Sequence, residues 1–240
     1  NRGRAVFTGG AVSSYGDFID FVNISTLGNA QDFGNTITSA RFFAACSSGT
    51  RGIYAVGYKS PGASANEIEY ITIASEGNAI DFGDSTVSGY AQSSLSSSTR
   101  GIWGGRQSPS GYSNVIDYVE IQTLGDALDF GDLSEGGNHG NPAMQSPTRG
   151  IFCGGYGSFS PDVNSPYAYN RMQLITIASK GNTTDFGDLT MGGARGGAGG
   201  NSVRGVYAGG IGMTQINRLI EFVTIASTGN ATVFGELTIA

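Results

Sequence analysis

The chain is short of the residues that most site chemistry needs. Its 240 residues hold one histidine, His139, two cysteines, six prolines and one tryptophan. A single imidazole excludes a copper centre built on several histidines. It also leaves a Ser-His-Asp triad without support, because no serine sits in a nucleophile elbow. His139 lies in GGNHGN and reads as a solvated loop residue. Charged residues make up only 13% of the chain, and the formal net charge is −6. Lysines and arginines are scattered singly, so no groove for nucleic acid is expected. No apolar run approaches the roughly 18 residues that a membrane helix needs, so no membrane span is expected. No basic-then-apolar leader is visible, so this stretch is expected to encode no signal peptide. Cys46 and Cys153 fall at non-equivalent places in the chain's internal repeat. They read as small buried thiols rather than a disulfide. No acidic calcium-loop pattern occurs, and no cofactor is expected.

What the chain has in abundance is glycine and repetition. It holds 40 glycines, yet 39% of its residues are apolar and 10% aromatic, enough to build a core. The phrase TRGIYAVG at Thr50 returns as TRGIWGGR at Thr99 and TRGIFCGG at Thr148, with degenerate copies at Asn1 and Val203. Its arginine is read at Arg2, Arg51, Arg100, Arg149 and Arg204, spaced by 49, 49, 49 and 55 residues. A second phrase follows each copy: GNAQDFGN, GNAIDFGD, GDALDFGD, GNTTDFGD and GNATVFGE. From its aspartate to the next arginine the distance is 19 or 20 residues, so the extra residues of the fourth copy lie after Gly155.

Each copy carries four short strand candidates. One is small and polar (FFAACSS, AQSSLSS, NPAMQSP, GGAGGNS). The second is the RGIYAVG phrase, the third an apolar run such as IEYITIA, and the fourth the DFG segment. Short strands between Gly, Asn and Ser turns indicate antiparallel structure. Four strands in a repeat near 50 residues describe a propeller blade. The near-continuous apolar third strand fits a sheet packed on both faces. The small-residue strand suits the crowded axis. The expectation is therefore an all-β, five-bladed β-propeller of four-stranded antiparallel blades, one domain over residues 1–240. The sequence opens on a second strand and closes on a fourth, so the blade of residues 1–38 is expected to lack its innermost strand unless further residues precede Asn1.

These residues resemble the kelch repeat. A double glycine ends the second strand at Gly9-Gly10, Gly104-Gly105, Gly154-Gly155 and Gly209-Gly210, with Val56-Gly57 departing. An aromatic stands in the third strand at Phe21, Tyr70, Tyr118 and Phe222, with Leu174 departing. The kelch tryptophan is missing; a DFG phenylalanine (Phe33, Phe82, Phe130, Phe186, Phe234) recurs instead. In overall style the repeats are also similar to those of virion-associated proteins of tailed marine bacteriophages. That resemblance implies a virion or extracellular location.

The recurring words read as scaffold. DFG occurs four times at blade spacing, so it is structural and not the magnesium-holding motif of a kinase. Arg51, Arg100 and Arg149 are expected to pair with the aspartates Asp32, Asp81, Asp129 and Asp185, because counting through the hairpin puts Arg51, Thr72 and Asp81 on one line. What varies is the loop between the second and third strands. It carries Tyr15, Tyr58, Tyr112, Tyr156, Phe159, Tyr167 and Tyr169, with Lys59, Arg106, Arg171 and Arg218. Aromatic side chains beside adaptable Ser, Asn and Gly have the composition of a recognition surface. From these loops the candidate ligand-binding residues are Tyr15, Tyr58, Arg106, Tyr112, Tyr156, Phe159, Tyr167, Tyr169 and Arg171. The loop from Gly155 to Asn170 is expected to be the main contact. The function expected is recognition without catalysis: adhesion to a glycan or surface polymer on a host or virion, or structural decoration through a protein partner.

Overall fold

A computed structural model describes residues 3–11, 15–55, 57–134, 140–157, 169–212 and 216–238. The described residues form a five-bladed β-propeller and contain strands but no helix. Blade one holds β1 (Arg4–Thr8), β2 (Phe18–Asn23) and β3 (Gln31–Asn35). Blade two holds β5 (Ala44–Ser47), β6 (Arg51–Ala55), β8 (Ala63–Thr72) and β9 (Ile80–Gly89). The short β4 (Ala40–Arg41) and β7 (Tyr58–Lys59) extend it. Blade three is β10 (Ser93–Ser96), β11 (Arg100–Ser108), β12 (Gly111–Glu120) and β13 (Leu128–Asp132). Blade four is β14 (Ala143–Gln145), β15 (Arg149–Cys153), β16 (Arg171–Thr176) and β17 (Thr184–Asp188). Blade five is β18 (Gly197–Gly200), β19 (Arg204–Ala208), β20 (Leu219–Thr224) and β21 (Thr232–Glu236).

The inner strands are the small-residue segments, and they touch one another around the axis. The Ser94 hydroxyl donates to the Ala45 carbonyl at 2.6 Å, and that of Ser96 to the Ser47 carbonyl at 3.0 Å. Blade one has three strands, and among the described residues nothing pairs with the inner edge of β1. A groove of about 260 Å³ lies there, lined by Ala5, Cys46, Gly52 and Tyr54.

The apolar core is divided among the joints between blades. Ile19, Phe21 and Phe33 of blade one meet Tyr54, Ile71 and Ala79 of blade two. Ile53, Ile68 and Phe82 of blade two then meet Trp103, Val119 and Ile121 of blade three, and the pattern repeats into blades four and five. A third strand thus buries both its faces, which is why it reads as unbroken apolar sequence.

The DFG phrase is the hinge of each joint. Its phenylalanine is the extra residue of a β-bulge: Ile68 pairs with Gly83 and Glu69 with Asp81, leaving Phe82 without a partner. The bulge turns the ring onto the next blade. The following glycine lets the backbones meet, because a Cβ on Gly83 (φ +142°) would collide with the Gly125 carbonyl. The amide of Gly125 donates to the Phe82 carbonyl at 2.9 Å, and Asp126 Oδ1 accepts from the Asp84 amide at 3.0 Å.

The register corrects two readings of the sequence. The partner of Asn23 across the sheet is Arg4, as Arg51 is the partner of Thr72, so the first copy of the repeating arginine is Arg4 and not Arg2. Nor does this arginine meet the DFG aspartate. Asp81 stands opposite Glu69, three residues along the strand from Thr72, because the hairpin is longer than its S/T-x-G-N core. At about 3.3 Å per residue that offset is about 10 Å, beyond ion-pair reach. Asp32, Asp81, Asp129 and Asp185 lie exposed. The arginines reach into the next blade instead. Arg51 donates to the Ile121 carbonyl at 3.0 Å, Arg100 to that of Ile177 at 2.9 Å and Arg149 to that of Ile225 at 3.1 Å; Arg4 does the same to Ile73 at 3.2 Å. The guanidinium groups of Arg4, Arg51 and Arg100 lie over the aromatics of their own third strands, Arg51 on Tyr70 at 4.6 Å and Arg100 on Tyr118 at 4.5 Å; blade four has Leu174 at that place. Arg100 also pairs with Glu120 at 2.8 Å.

A polar residue inside the apolar third strand of blades two to five completes the joint with the blade before it. The Glu69 carboxylate accepts from the amides of Ile37 and Thr38, at 2.9 and 3.2 Å, in the loop that leaves blade one. Gln173 does so for Ser134 at 2.8 Å and Glu221 for Thr190 at 2.7 Å. Cys46 and Cys153 are both free. Burial pushes the Cys46 thiol up to about 12, and Cys153 higher still.

Two outcomes follow. Phe130→Ala empties the joint between blades three and four and should cost about 3–5 kcal/mol in urea unfolding. Glu69 is held above the usual carboxylate range by burial, against the two amides that favour its charged form. A carboxyl raised on folding contributes stability at low pH that is lost as pH rises from its unfolded value through its folded value. Glu69→Gln, which copies Gln173, should therefore gain on the wild type in urea midpoint as pH rises from 4 to 8.

Candidate functional site

The loops joining second to third strands, and fourth strands to the next blade, emerge on one face. In blades two and three they are strand rather than loop: β8 and β9 run to 10 residues each, and β11 and β12 form a hairpin closed at Ser108–Gly111. The end of blade two is stitched to that hairpin by paired hydrogen bonds between Tyr90 and Gln107, at 2.9 and 3.0 Å. Strand pairing gives side chains on this face fixed positions.

Those side chains form a chain of rings. Tyr15 and Tyr58 stand 6.1 Å apart, Tyr58 meets Tyr90 edge to face at 4.8 Å, and Tyr90 stacks on Phe42 at 6.0 Å. The Arg41 guanidinium sits among them, 4.8 Å from the Tyr15 ring, 4.9 Å from Phe42 and 5.6 Å from Tyr58. Burial first, and then the neighbouring phenols of Tyr58 and Tyr112, push the Tyr90 hydroxyl above its ordinary value, against the pull of Arg41 and Arg195. Farther round, Arg195 lies 5.9 Å from the Tyr156 ring.

The rim of the axis is set by backbone. Phe42, Ala91, Gly140 and Arg195 share a left-handed conformation with φ between 57° and 63°. Each amide after the first donates to the carbonyl before it: Ala91 to Phe42, Gly140 to Ala91 and Arg195 to Gly140, at 3.3, 2.7 and 2.6 Å. Non-glycine residues adopt this region at a cost, and such strain gathers at built sites. The ladder surrounds a cavity of about 370 Å³ lined by Phe42, Tyr90, Gln92, Asn141 and Arg195. Asn141 is 2% exposed, and neither its amide nitrogen nor its oxygen is hydrogen-bonded to a described residue. A buried carboxamide without partners costs free energy unless something fills the cavity and meets it.

The structure sorts the residues expected here. Tyr15, Tyr58, Tyr112 and Tyr156 reach this face and keep exposed surface. Arg171 is exposed at the start of β16. Phe159 and Tyr167, like most of the Gly155–Asn170 loop and His139, lie outside the described residues. Tyr169 is buried, a wall of the scaffold rather than a contact. Arg106 is the clear correction. It is 0% exposed, pairs with Asp117 at 2.7 Å and donates to the Val87 carbonyl of blade two at 2.7 Å. Gly89 makes room for it, since a Cβ there would press on its side chain. Arg106 is thus a bolt between two blades: its strand is irregular between Gly104 and Arg106, and the side chain reaches back to Asp117 of its own third strand. Sequence reasoning missed Arg41, Phe42, Tyr90, Asn141 and Arg195, which lie in the connectors between blades. The only hint of them was that aromatic or basic residues stand in FF, GYAQ and ARGG just ahead of the small-residue strands.

No family model and no curated protein matches the sequence. Among solved structures, the chain is similar to one described as the structure of YjhT, with 11% identity and a TM-score of 0.75. The match covers 96% of this chain and 80% of that one. At that identity the likeness is one of fold, a β-propeller.

Arg106→Met leaves Asp117 as an unpaired buried charge and should cost about 3–5 kcal/mol in urea unfolding. Tyr112→Ala, on the same hairpin but exposed, should stay within about 0.5 kcal/mol of the wild type.

Proposed function

We propose that this propeller is a non-catalytic recognition module of a kelch-like class, carried on a virion or in the extracellular space, that binds a glycan or surface polymer on its variable face. The observation that carries the reading is the row of rings from Tyr15 to Phe42 leading to a cavity where Asn141 has no partner among the described residues. Aromatic faces stack on the apolar faces of sugar rings, and a carboxamide supplies both donor and acceptor to a hydroxyl. Arg41 adds a cation without an acidic partner among the described residues, which suits a polymer bearing carboxylate or sulfate groups.

The residues that elsewhere would suggest catalysis have structural work. Glu69, Glu221 and Asp117 hold loops or an arginine at the joints between blades. The resemblance to virion proteins of tailed marine bacteriophages supports the location.

Binding is tested on a glycan array, followed by titration calorimetry on the best hit. Tyr58→Ala, Tyr90→Ala and Asn141→Ala should each weaken binding at least about tenfold, roughly 1.4 kcal/mol, with an unchanged circular dichroism spectrum. A wild-type protein that binds no array glycan at millimolar concentration, or variants that bind as the wild type does, would overturn the reading.

A further inference from the structure

Four joints between blades are built alike, and the surfaces of blades five and one that would make a fifth are exposed. The DFG phenylalanines of blades one to four are 1–2% exposed, but Phe234 of blade five is 60% exposed. The isoleucine after the third strand is 0–7% exposed in blades two to five, whereas Ile24 of blade one is 62% exposed. The second-strand aromatics Tyr54, Trp103, Phe152 and Tyr207 are 0–3% exposed, and their counterpart Phe7 is 56% exposed. Among the described residues no hydrogen bond, ion pair or ring contact joins β18–β21 to β1–β3.

The polar half of the joint is idle as well. Arg204 stacks on Phe222 at 4.3 Å like its counterparts, yet its guanidinium reaches no carbonyl among the described residues. Gly235 holds the place at which Gly34, Gly83, Gly131 and Gly187 each touch the next turn, and a Cβ there would meet nothing within 4 Å. On the other side, Asp20 occupies the position at which Glu69, Gln173 and Glu221 each accept from the preceding blade, and it accepts nothing from the described residues.

We propose that this seam is a docking site for one further blade of the same repeat. The four formed joints in the same molecule define what such a blade must present. To blade five it offers an isoleucine carbonyl for Arg204, a Gly-Asn turn for Phe234 and Glu236, and an acidic or amide side chain for the loop at Thr238. To blade one it offers a DFG bulge against Phe7 and Ile24, and a loop amide for Asp20. A second copy of the propeller is a poor occupant, since one ring would then hold ten blades, outside the typical four to eight.

The test appends a copy of residues 193–238 after Ala240. Size-exclusion chromatography with light scattering and amide hydrogen exchange are read on the extended and unmodified proteins. In the four formed joints, the residue that corresponds to Glu236 gives its amide to the Asn or Asp of the next turn. The Glu236 amide should therefore exchange at least about tenfold more slowly in the extended chain, and the thermal midpoint should rise. Phe234→Asp should abolish both gains and leave the unmodified protein folded, because that ring is exposed there. Titrating a synthetic peptide of residues 193–238 into the unmodified protein gives the same readout without a fusion. The unmodified protein should run as a monomer. A Glu236 amide left unprotected by both fusion and peptide would overturn the proposal, and so would an unmodified protein that dimerises and is made monomeric by Phe234→Asp.

Discussion

The fold depends on close backbone contact between one blade's outer strand and the next blade's turn. That approach needs three things at once: a bulge to aim a phenylalanine, a glycine to remove the Cβ, and a turn glycine whose amide meets the phenylalanine carbonyl. A side chain at the DFG glycine would hold the blades apart, and the rings behind it would lose their burial; the turn glycine is needed instead for its positive φ, +142° at Gly125. The arginine at the start of the second strand works on the same joint from the same face of the sheet. It lies over the aromatic of its own third strand and satisfies a carbonyl of the next blade. The repeated words are thus the two halves of one joint, and a repeat can be read only with its neighbour.

This division of labour explains why the loops are free to differ. Apolar burial, the arginine contact and the DFG bulge all lie below the variable face. Residues such as Tyr58, Tyr90 and Arg41 can then change without disturbing the joints. The exception is Arg106, where a residue from the variable stretch has been drawn into the structure. A buried arginine is tolerated there because Asp117 and the Val87 carbonyl compensate for lost hydration. Where the same stretch stays on the surface, it builds the cluster of rings beside the axial cavity.

Strand count, blade number, the small inner strands and the three-stranded first blade were legible in the sequence, because each depends on local pattern: period, residue size and the place of glycines. The structural role of the arginines and of DFG was legible too, but their partners were not. Counting residues through the hairpin assumed a tight turn, and the true register puts Asp81 opposite Glu69. The polar residue in each third strand was visible in IDFV, IEYI, IDYV, MQLI and IEFV. Its purpose was hidden, because the amides it accepts belong to the blade before it.

The sequence by itself determined the repeat, and through it the propeller, since about fifty residues with four short strands and glycine turns can bury their apolar faces only against copies of themselves. Tertiary structure alone decided which side chains meet. Phe42, Tyr90, Asn141 and Arg195 are separated by about one repeat each along the chain, yet they share one rim because each stands just ahead of a small-residue inner strand near the axis. Arg106 and Tyr58 look equally like surface residues in the sequence, and one is buried while the other is not. Local patterns specify strands, but burial of a single side chain depends on the angle and register at which two blades are pressed together.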